Sequence, residues 1–160
     1  MSEELLRRIA DALERLAPPT AEPADLEVHA AYHWDGLSLA AVASFDPLPD
    51  SLIVGVDRQK QAITENSRRH AQGHAAHDVL LWGARGMGKS ALVKSVAGGL
   101  QAEGLPLTLV ETTSEQLASL PQLFALLGNA NRRFILFIDD MAFEGDDTGP
   151  RRLRSMLEGG

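Results

Sequence analysis

A glycine-rich loop is the part of this sequence whose residue types and spacing point most directly to chemistry. Residues 83–90 are GARGMGKS, the pattern G-x-x-x-x-G-K-S, called here the glycine loop. Glycines let backbone N–H groups turn inward around a phosphate, and a helix that begins there adds its positive dipole end. Lysine reaches the β- and γ-phosphates, and the serine hydroxyl is a ligand for Mg²⁺. The residues predicted to bind the nucleotide are Gly83, Ala84, Arg85, Gly86, Met87, Gly88, Lys89, Ser90 and Ala91.

Two adjacent carboxylates, Asp139 and Asp140, follow an apolar run at residues 134–138. A carboxylate at the end of a buried strand is placed to hold Mg²⁺ directly or through water, so Asp139 is predicted to have that role. Asp140 is then placed to orient and polarise the attacking water. The alternative is a pair of acids that begins a solvated loop, since Asp146 and Asp147 follow nearby. Together with the glycine loop, the pair indicates binding and hydrolysis of a nucleoside triphosphate.

The elements that must position these residues alternate between strands and helices. Short apolar runs predict three buried strands, at residues 79–82, 107–111 and 134–138. Helical patterns predict one helix from Asp57, as N-cap, to residue 71, and another from residue 88 or 89 to residue 102, closed by Gly104. Thr112 and Glu115 match a capping box for a further helix, which Pro121 restarts. This order predicts an α/β fold, a P-loop NTPase parallel sheet with helices on both faces.

The first 50 residues are organised differently. Apolar residues at helical spacing predict an amphipathic helix over residues 1–16, and a proline-rich linker follows at residues 17–25. Residues 26–50 form an N-terminal extension, where a short helix is expected at residues 37–44 and Tyr32 and Trp34 are expected in a core or interface. Residues 51–160 are expected to form a partial nucleotide-binding domain. The N-terminal helix packs either on the body of the protein or on a protein partner.

Composition and charge limit the classes of function. The 160 residues contain no cysteine, which excludes disulfides, zinc sites with thiolate ligands and cysteine nucleophiles. The formal net charge of −7 lies entirely in the first 50 residues, where ten acidic residues accompany three arginines, so binding to nucleic acid is not indicated. No apolar stretch is long enough to span a membrane, and the N-terminus lacks the apolar core of a signal peptide. We therefore expect a cytoplasmic protein.

Three segments together resemble an AAA+ ATPase of the P-loop NTPase superfamily: residues 52–57 before a helix, residues 79–93 around the glycine loop, and residues 133–144 around the two acids. Within that superfamily, the chain resembles an uncharacterised bacterial family of predicted ATP-binding proteins, catalogued as a domain of unknown function. The family pattern combines G-x-R-G-x-G-K-S, a strand that runs into Asp-Asp, and Leu-Glu-Gly-Gly, found here at residues 157–160. The resemblance covers about residues 32–160.

The resemblance implies a site for ATP and Mg²⁺. The residues expected in it are Val54 and Gly55 near the adenine, Lys89 on the phosphates, and Ser90 and Asp139 on the metal. Asp140 stands where most AAA+ proteins have the longer glutamate, and the resembling family also has Asp there. The implied function is an AAA+ ATPase module, in a homo-oligomeric ring, that couples ATP hydrolysis to remodelling of a macromolecule.

AAA+ proteins continue beyond the point where this sequence ends, with a sensor strand, an arginine finger and a helical lid. The sensor strand lies between the strands that carry the glycine loop and the acids. We therefore expect either direct pairing of residues 79–82 with residues 134–138 or an open apolar edge. We also expect that the chain is truncated before the sensor strand and that its hydrolysis of ATP is weak at best. The alternative function is a nucleotide-dependent binding switch with little turnover. A P-loop kinase would need a basic lid, and residues 112–130 contain no lysine or arginine.

Two further features leave alternatives open. The near-helical spacing of His70, His74 and His77 would suit a metal site, but Gly73 interrupts them and no fourth ligand is apparent, so an incidental role is expected. Arg85 could contact a phosphate, a partner or solvent, and the sequence does not choose among these.

Overall fold

The computed structural model describes residues 4–5, 7–8 and 25–141. Glu4, Leu5, Arg7 and Arg8 are helical, which agrees with the predicted N-terminal helix at these positions. The rest of that helix, the linker before residue 25, and residues 142–160 with the Leu-Glu-Gly-Gly sequence lie outside the described residues. Within the described part, no helix is both long and apolar enough to cross a membrane.

A four-stranded mixed sheet forms the centre of the fold. Its strands are β1 (Ala31–Trp34), β2 (Leu39–Ala41), β3 (Leu107–Thr113) and β4 (Arg133–Asp139), in the spatial order β2-β1-β3-β4. β3 lies parallel to both β1 and β4, whereas β2 is antiparallel to β1. The predicted α/β class and the strands at residues 107–111 and 134–138 are confirmed, although the sheet is not wholly parallel. Thr113 is in register with Asp139, so β3 and β4 end at the same edge of the sheet.

The strand predicted at residues 79–82 is not formed, so that prediction is wrong. These residues have no regular secondary structure and pair with no strand in the described part of the chain. Leu81 packs against the core, whereas Val79 and Leu80 are exposed and Trp82 is 88% exposed. The outer edge of β4 has no strand beside it among the described residues, so the open edge is observed rather than direct pairing. An apolar run becomes a strand only where a neighbouring strand accepts its hydrogen bonds.

A tight hairpin replaces the short helix expected at residues 37–44, and that prediction is also wrong. β1 and β2 pair on either side of a turn at Asp35 and Gly36. The Asp35 carboxylate accepts hydrogen bonds from the backbone N–H groups of Leu37 and Ser38, both at 2.8 Å. Gly36 has φ of 100°, a conformation that other residues rarely adopt. The turn therefore has a local signal, Asp-Gly, that outweighs the weak helical pattern after it.

Three helices pack on the sheet: α1 (Asp57–Ala71), α2 (Lys89–Ala102) and α3 (Leu120–Leu127). All three were expected from the sequence, and Gly104, with φ of 84°, follows the end of α2 as predicted. Pro121 lies in the first turn of α3, where its missing N–H costs nothing. The N-cap of α1 is Val56 rather than Asp57, which is the first helical residue and makes no capping hydrogen bond.

The predicted capping box at Thr112 and Glu115 is wrong as well. β3 continues through Thr113, and a short 3₁₀ helix (Ser114–Ser119) follows it. The hydroxyl of Thr112 is buried and donates a hydrogen bond to the carbonyl of Trp34 at 3.1 Å, so it is not available to cap a helix.

The helices cover both faces of the sheet, as predicted. On one face α3 packs on the strands, in a cluster formed by Tyr32, Trp34, Val110, Leu120, Leu123 and Leu127. On the other face α1 and α2 pack together over β3, in a cluster formed by Ile63, Ala71, Leu92, Val96, Leu100 and Leu107. Fully burying one such leucine contributes about 1.5–3 kcal/mol to the free energy of folding. The buried residues of α2 therefore hold this helix on the sheet, and with it the glycine loop at its start.

Candidate functional site

The glycine loop (residues 83–90) connects the unpaired segment 79–82 to α2. Gly83, Gly86 and Gly88 have φ of 144°, 84° and 79°, so the loop bends three times through conformations that suit glycine. Beyond its chain neighbours, a Cβ atom placed on any of the three would meet no atom of the described residues within 4 Å. Gly88 is the N-cap of α2 and has no side chain to cap it. The first N–H groups of a helix have no partner within the helix, so those of α2 can meet an anion at this loop.

Lys89 is the first residue of α2, and its side chain folds back onto the loop. Its Nζ donates hydrogen bonds to the carbonyls of Gly83 at 2.9 Å and Ala84 at 3.0 Å. An ammonium group has three hydrogens, so one remains for a further acceptor. The positive charge of Lys89 thus lies at the mouth of the loop, beside the helix N-terminus, and both attract negative charge.

The hydroxyl of Ser90 meets the acid at the end of β4. Ser90 Oγ donates a hydrogen bond to Oδ2 of Asp139 at 2.9 Å, and both residues are half-buried. Oδ1 of the same carboxylate accepts the backbone N–H of Asp140 at 2.9 Å. The two side chains predicted to bind a metal are therefore adjacent, and oxygen atoms of this kind are the ligands that Mg²⁺ prefers.

Asp140 is exposed and has an unusual backbone. Its φ is 53°, and it is the one non-glycine residue with positive φ in the described part of the chain. Its carbonyl accepts a hydrogen bond at 3.0 Å from Oγ of Ser114, the first residue of the 3₁₀ helix. No hydrogen bond to its carboxylate is found within residues 25–141.

A cleft of about 1300 Å³ lies between β4 and the segment that precedes the glycine loop. Residues of α1 and α2 line it as well, and so do both Asp139 and Asp140. The glycine-loop residues in its lining are Gly83, Arg85, Gly86, Met87, Gly88, Lys89 and Ser90, followed by Ala91. The cleft therefore brings together nearly all the residues predicted to bind phosphate and metal.

Three predicted binding residues lie outside the lining of this cleft. Ala84 belongs to the loop, where its carbonyl accepts a bond from Lys89. Val54 is 76% exposed, and Gly55 has φ of 78°; neither lines the cleft with the phosphate-binding residues. The role predicted for Val54 and Gly55 beside the adenine remains a prediction.

The histidines of this region have structural contacts. His70 Nε2 is hydrogen-bonded with the carbonyl of Phe134 at 2.9 Å, on the open side of β4. The backbone of His77 is held by both ends of the Asn66 amide, at 2.8 and 2.9 Å. Among the residues that the structure describes, no group of three or more metal-ligating side chains is found. A metal site at His70, His74 and His77 is therefore not supported.

Comparison with known families adds one relationship. Residues 27–160 match the model of a family described as "Protein of unknown function (DUF815)". The chain belongs to this family. Searches of curated proteins and of solved structures give no significant match. The match confirms the part of the resemblance that concerned a family of unknown function, while membership of the AAA+ superfamily remains a prediction.

In this DUF815 chain, the cleft and the acidic pair also have neighbours that the sequence did not reveal. Trp82 and Asp78 line the cleft, and Ser114 contacts the backbone of Asp140. Trp82 could have been noticed because it precedes the glycine loop directly. No pattern marks Ser114, since its contact depends on β3 and β4 being adjacent and ending together.

Proposed function

We propose that this DUF815 chain is an AAA+ ATPase module that binds ATP with Mg²⁺ at the glycine loop and hydrolyses it slowly. The observation that supports this best is the hydrogen bond between Ser90 and Asp139. It joins the hydroxyl that follows the loop lysine to a carboxylate at the end of β4, which is the pairing of oxygen ligands expected around nucleotide-bound Mg²⁺.

The chemistry of the loop suits a polyphosphate. Lys89 supplies a positive charge at the loop, and the N-terminus of α2 supplies unpaired N–H groups. The open space at Gly86 and Gly88 lets a phosphate approach the backbone, where any larger residue would project a side chain. These residues would bind the β- and γ-phosphates and hold the nucleotide against α2.

Catalysis would depend on the two acids. A bound Mg²⁺ would neutralise charge on the phosphate oxygens, and Ser90 and Asp139 are the residues placed to hold it. Asp140 would accept the proton of the attacking water and orient it towards the γ-phosphate. Its carboxylate is one methylene shorter than a glutamate, which favours slow turnover.

A nucleotide-dependent binding switch with little turnover is the second candidate. Asp140 is exposed, and Trp82, next to the glycine loop, is 88% exposed. A site with open walls does not exclude bulk water, and electrostatic stabilisation of a transition state is weaker there. Binding of ATP could then change the contacts of the chain without rapid hydrolysis.

The wider role belongs to the same proposal and comes from the family resemblance. A module of this kind would assemble into a homo-oligomeric ring and remodel a macromolecule. A protein partner would be bound through the N-terminal helix, whose described residues include the exposed Leu5.

Calorimetry with ATP and Mg²⁺ tests the proposal, with Lys89→Ala as the key variant. We expect binding in the micromolar range for the natural chain and none for Lys89→Ala. Lys94→Ala is the matched control, because Lys94 lies on the same helix and pairs with Glu111 at 2.9 Å rather than with the loop. Equal affinity in all three proteins, or no binding by the natural chain, would contradict an ATP site at the glycine loop.

Release of phosphate from ATP separates the two candidates. An ATPase should lose turnover on Asp140→Ala while its affinity for ATP is retained. A binding switch should show tight binding and no phosphate release in either protein, together with a change in hydrogen exchange on adding ATP.

A further inference from the structure

Asp140 is held in a strained backbone conformation, and one hydroxyl group contacts it there. The φ of 53° lies in the left-handed region, which aspartate adopts more readily than most residues but still at a cost. Such a conformation persists when surrounding contacts favour it. Ser114 Oγ donates to the carbonyl of Asp140 at 3.0 Å, and the N–H of Asp140 is bound by Asp139.

We propose that Ser114 is a positioning residue that sets the orientation of Asp140, and that the 3₁₀ helix which Ser114 begins anchors it to the β1–β2 hairpin. This inference rests on the proposed function for its catalytic consequence. Its structural content, the conformation of Asp140, is independent of whether ATP binds.

Two hydroxyl groups from different elements hold the acidic pair. Ser90, on α2, holds the side chain of Asp139, and Ser114, after β3, holds the main chain of Asp140. With Asp139 fixed and φ of Asp140 set, the direction in which the Asp140 carboxylate leaves the chain is restricted. A carboxylate that must orient one water benefits from this restriction, because catalysis depends strongly on geometry.

The anchor of Ser114 is the other end of its own helix. Ser119 Oγ accepts a hydrogen bond from Trp34 Nε1 at 2.8 Å and donates one to the carbonyl of Gln116 at 2.7 Å. Trp34 is almost fully buried, and its carbonyl accepts the hydroxyl of Thr112. The 3₁₀ helix is therefore fastened at Ser119 to the last residue of β1.

The 3₁₀ helix therefore links the β1–β2 hairpin to Asp140, because Ser119 at one end bonds to Trp34 and Ser114 at the other end bonds to Asp140. The turn of the hairpin also touches the 3₁₀ helix, because a side chain at Gly36 would overlap the amide of Gln116. Movement of the hairpin would shift the 3₁₀ helix and, through Ser114, the backbone of Asp140. The 26–50 extension thus has a role in the site, beyond completing the sheet.

NMR of the chain without nucleotide tests the positioning role directly. The intraresidue NOE between the amide and Hα protons of Asp140 is strong when φ is positive. We expect this NOE to be strong in the natural chain, weakened in Ser114→Ala, and strong again in Ser114→Thr, which restores a hydroxyl. An NOE unchanged in Ser114→Ala overturns the proposal.

Ser119→Ala tests the anchor, and Ser95→Ala is its control. Ser119→Ala removes the bond to Trp34 and should weaken the same NOE. Ser95 is buried on α2, and its hydroxyl has no hydrogen-bond partner among the described residues, so Ser95→Ala should have no effect. If Ser119→Ala behaves like Ser95→Ala, the hairpin does not act on Asp140.

Kinetics supply the second readout, on chains whose affinity for ATP has been measured. General-base catalysis contributes about 10²–10⁴-fold, so partial misplacement of Asp140 should lower kcat by roughly tenfold in Ser114→Ala, with recovery in Ser114→Thr and no change in affinity. A loss of affinity equal to the loss of kcat would mean a general structural role for Ser114. Absence of ATP binding by the natural chain would remove the proposed function, and the NOE would still decide the role of Ser114.

Discussion

Ser90 and Asp139 are 49 positions apart in the chain, yet the hydroxyl of one donates a hydrogen bond to the carboxylate of the other at 2.9 Å. The contact exists because α2 packs across β3 and β4 and begins at the edge where β4 ends. It places side by side two oxygen ligands that come from two separate sequence motifs, the glycine loop and the end of β4. The first prediction follows from this pair.

Asp139→Asn should weaken the effect of Mg²⁺ on ATP binding. The amide keeps an acceptor for Ser90 but removes the negative charge that holds the metal. Changes at residues that orient or hold a metal cost roughly 10–100-fold in affinity, and we expect a loss of that order when Mg²⁺ is present. Titration of Mg²⁺ in the presence of a fluorescent ATP analogue measures it.

Asp78→Asn is the control for that experiment, because Asp78 lines the same cleft and belongs to the segment before the glycine loop. It should leave the Mg²⁺ dependence unchanged. Equal losses in the two variants would show that the negative potential of the cleft, and not Asp139 itself, attracts the metal.

Two neighbouring glycines in α2 should respond in opposite ways to alanine. Gly99→Ala should raise the free energy of unfolding by about 0.5–1 kcal/mol, since alanine favours a helix and no described atom outside the local helix backbone lies within 4 Å of the new methyl group. At Gly98 a methyl group would overlap the ring of Pro47, which cannot bend away as a flexible side chain would. Gly98→Ala should therefore destabilise the protein by about 1–3 kcal/mol.

Urea denaturation of the two variants and the natural chain measures both effects. If Gly98→Ala were as stabilising as Gly99→Ala, the segment around Pro47 would not pack on α2 as described.

The sequence predicted the parts of this fold whose signal is local. The helices α1 and α2 have long periodic patterns, and the glycine loop has a fixed spacing, so each was recognisable by itself. β1 and β2 have four and three residues, too few to show a period, and they were missed. Residues 79–82 have the same apolar character as β4, but whether they form a strand depends on a neighbour, which no local pattern specifies.

The candidate site divides in the same way. Lys89 and Ser90 were predicted from the loop, and Asp139 and Asp140 from the end of an apolar run. Ser114 could not be predicted, because its role depends on which strands are adjacent.

The hairpin turn should become less stable at low pH. Hydrogen bonds from the backbone N–H groups of Ser38 and Leu37 lower the pKa of Asp35 below its ordinary value. A carboxyl group whose pKa is lowered by folding adds stability above the pKa of the unfolded chain, and that stability is lost as the pH falls through the lower, folded value. The amide signals of Leu37 and Ser38 should therefore change with pH, and the midpoint of this change should lie below the ordinary pKa of aspartate.

NMR titration from neutral to acid pH measures that midpoint. In Asp35→Asn the acid-induced shift of these two amides should disappear, because the amide side chain does not titrate. Persistence of the shift would assign it to another carboxyl group.

The outer edge of β4 should make the protein prone to self-association. The outer edge of β4 has no strand beside it among the described residues, and Leu80, in the facing segment, is 62% exposed. An unpaired strand edge beside exposed apolar side chains is a site for pairing with another chain. Leu80→Lys should lower the association measured by light scattering as a function of concentration, with little change in unfolding temperature, because Leu80 contributes little to the core.

Val28→Lys is the matched control, since Val28 is 65% exposed and lies outside the lining of the cleft. Both variants raise the net charge by one, so a general charge effect would reduce association equally in the two. A reduction confined to Leu80→Lys would locate the contact at the cleft. An equal reduction by Val28→Lys would contradict a contact at the edge of β4, because the added charge alone would then account for the effect.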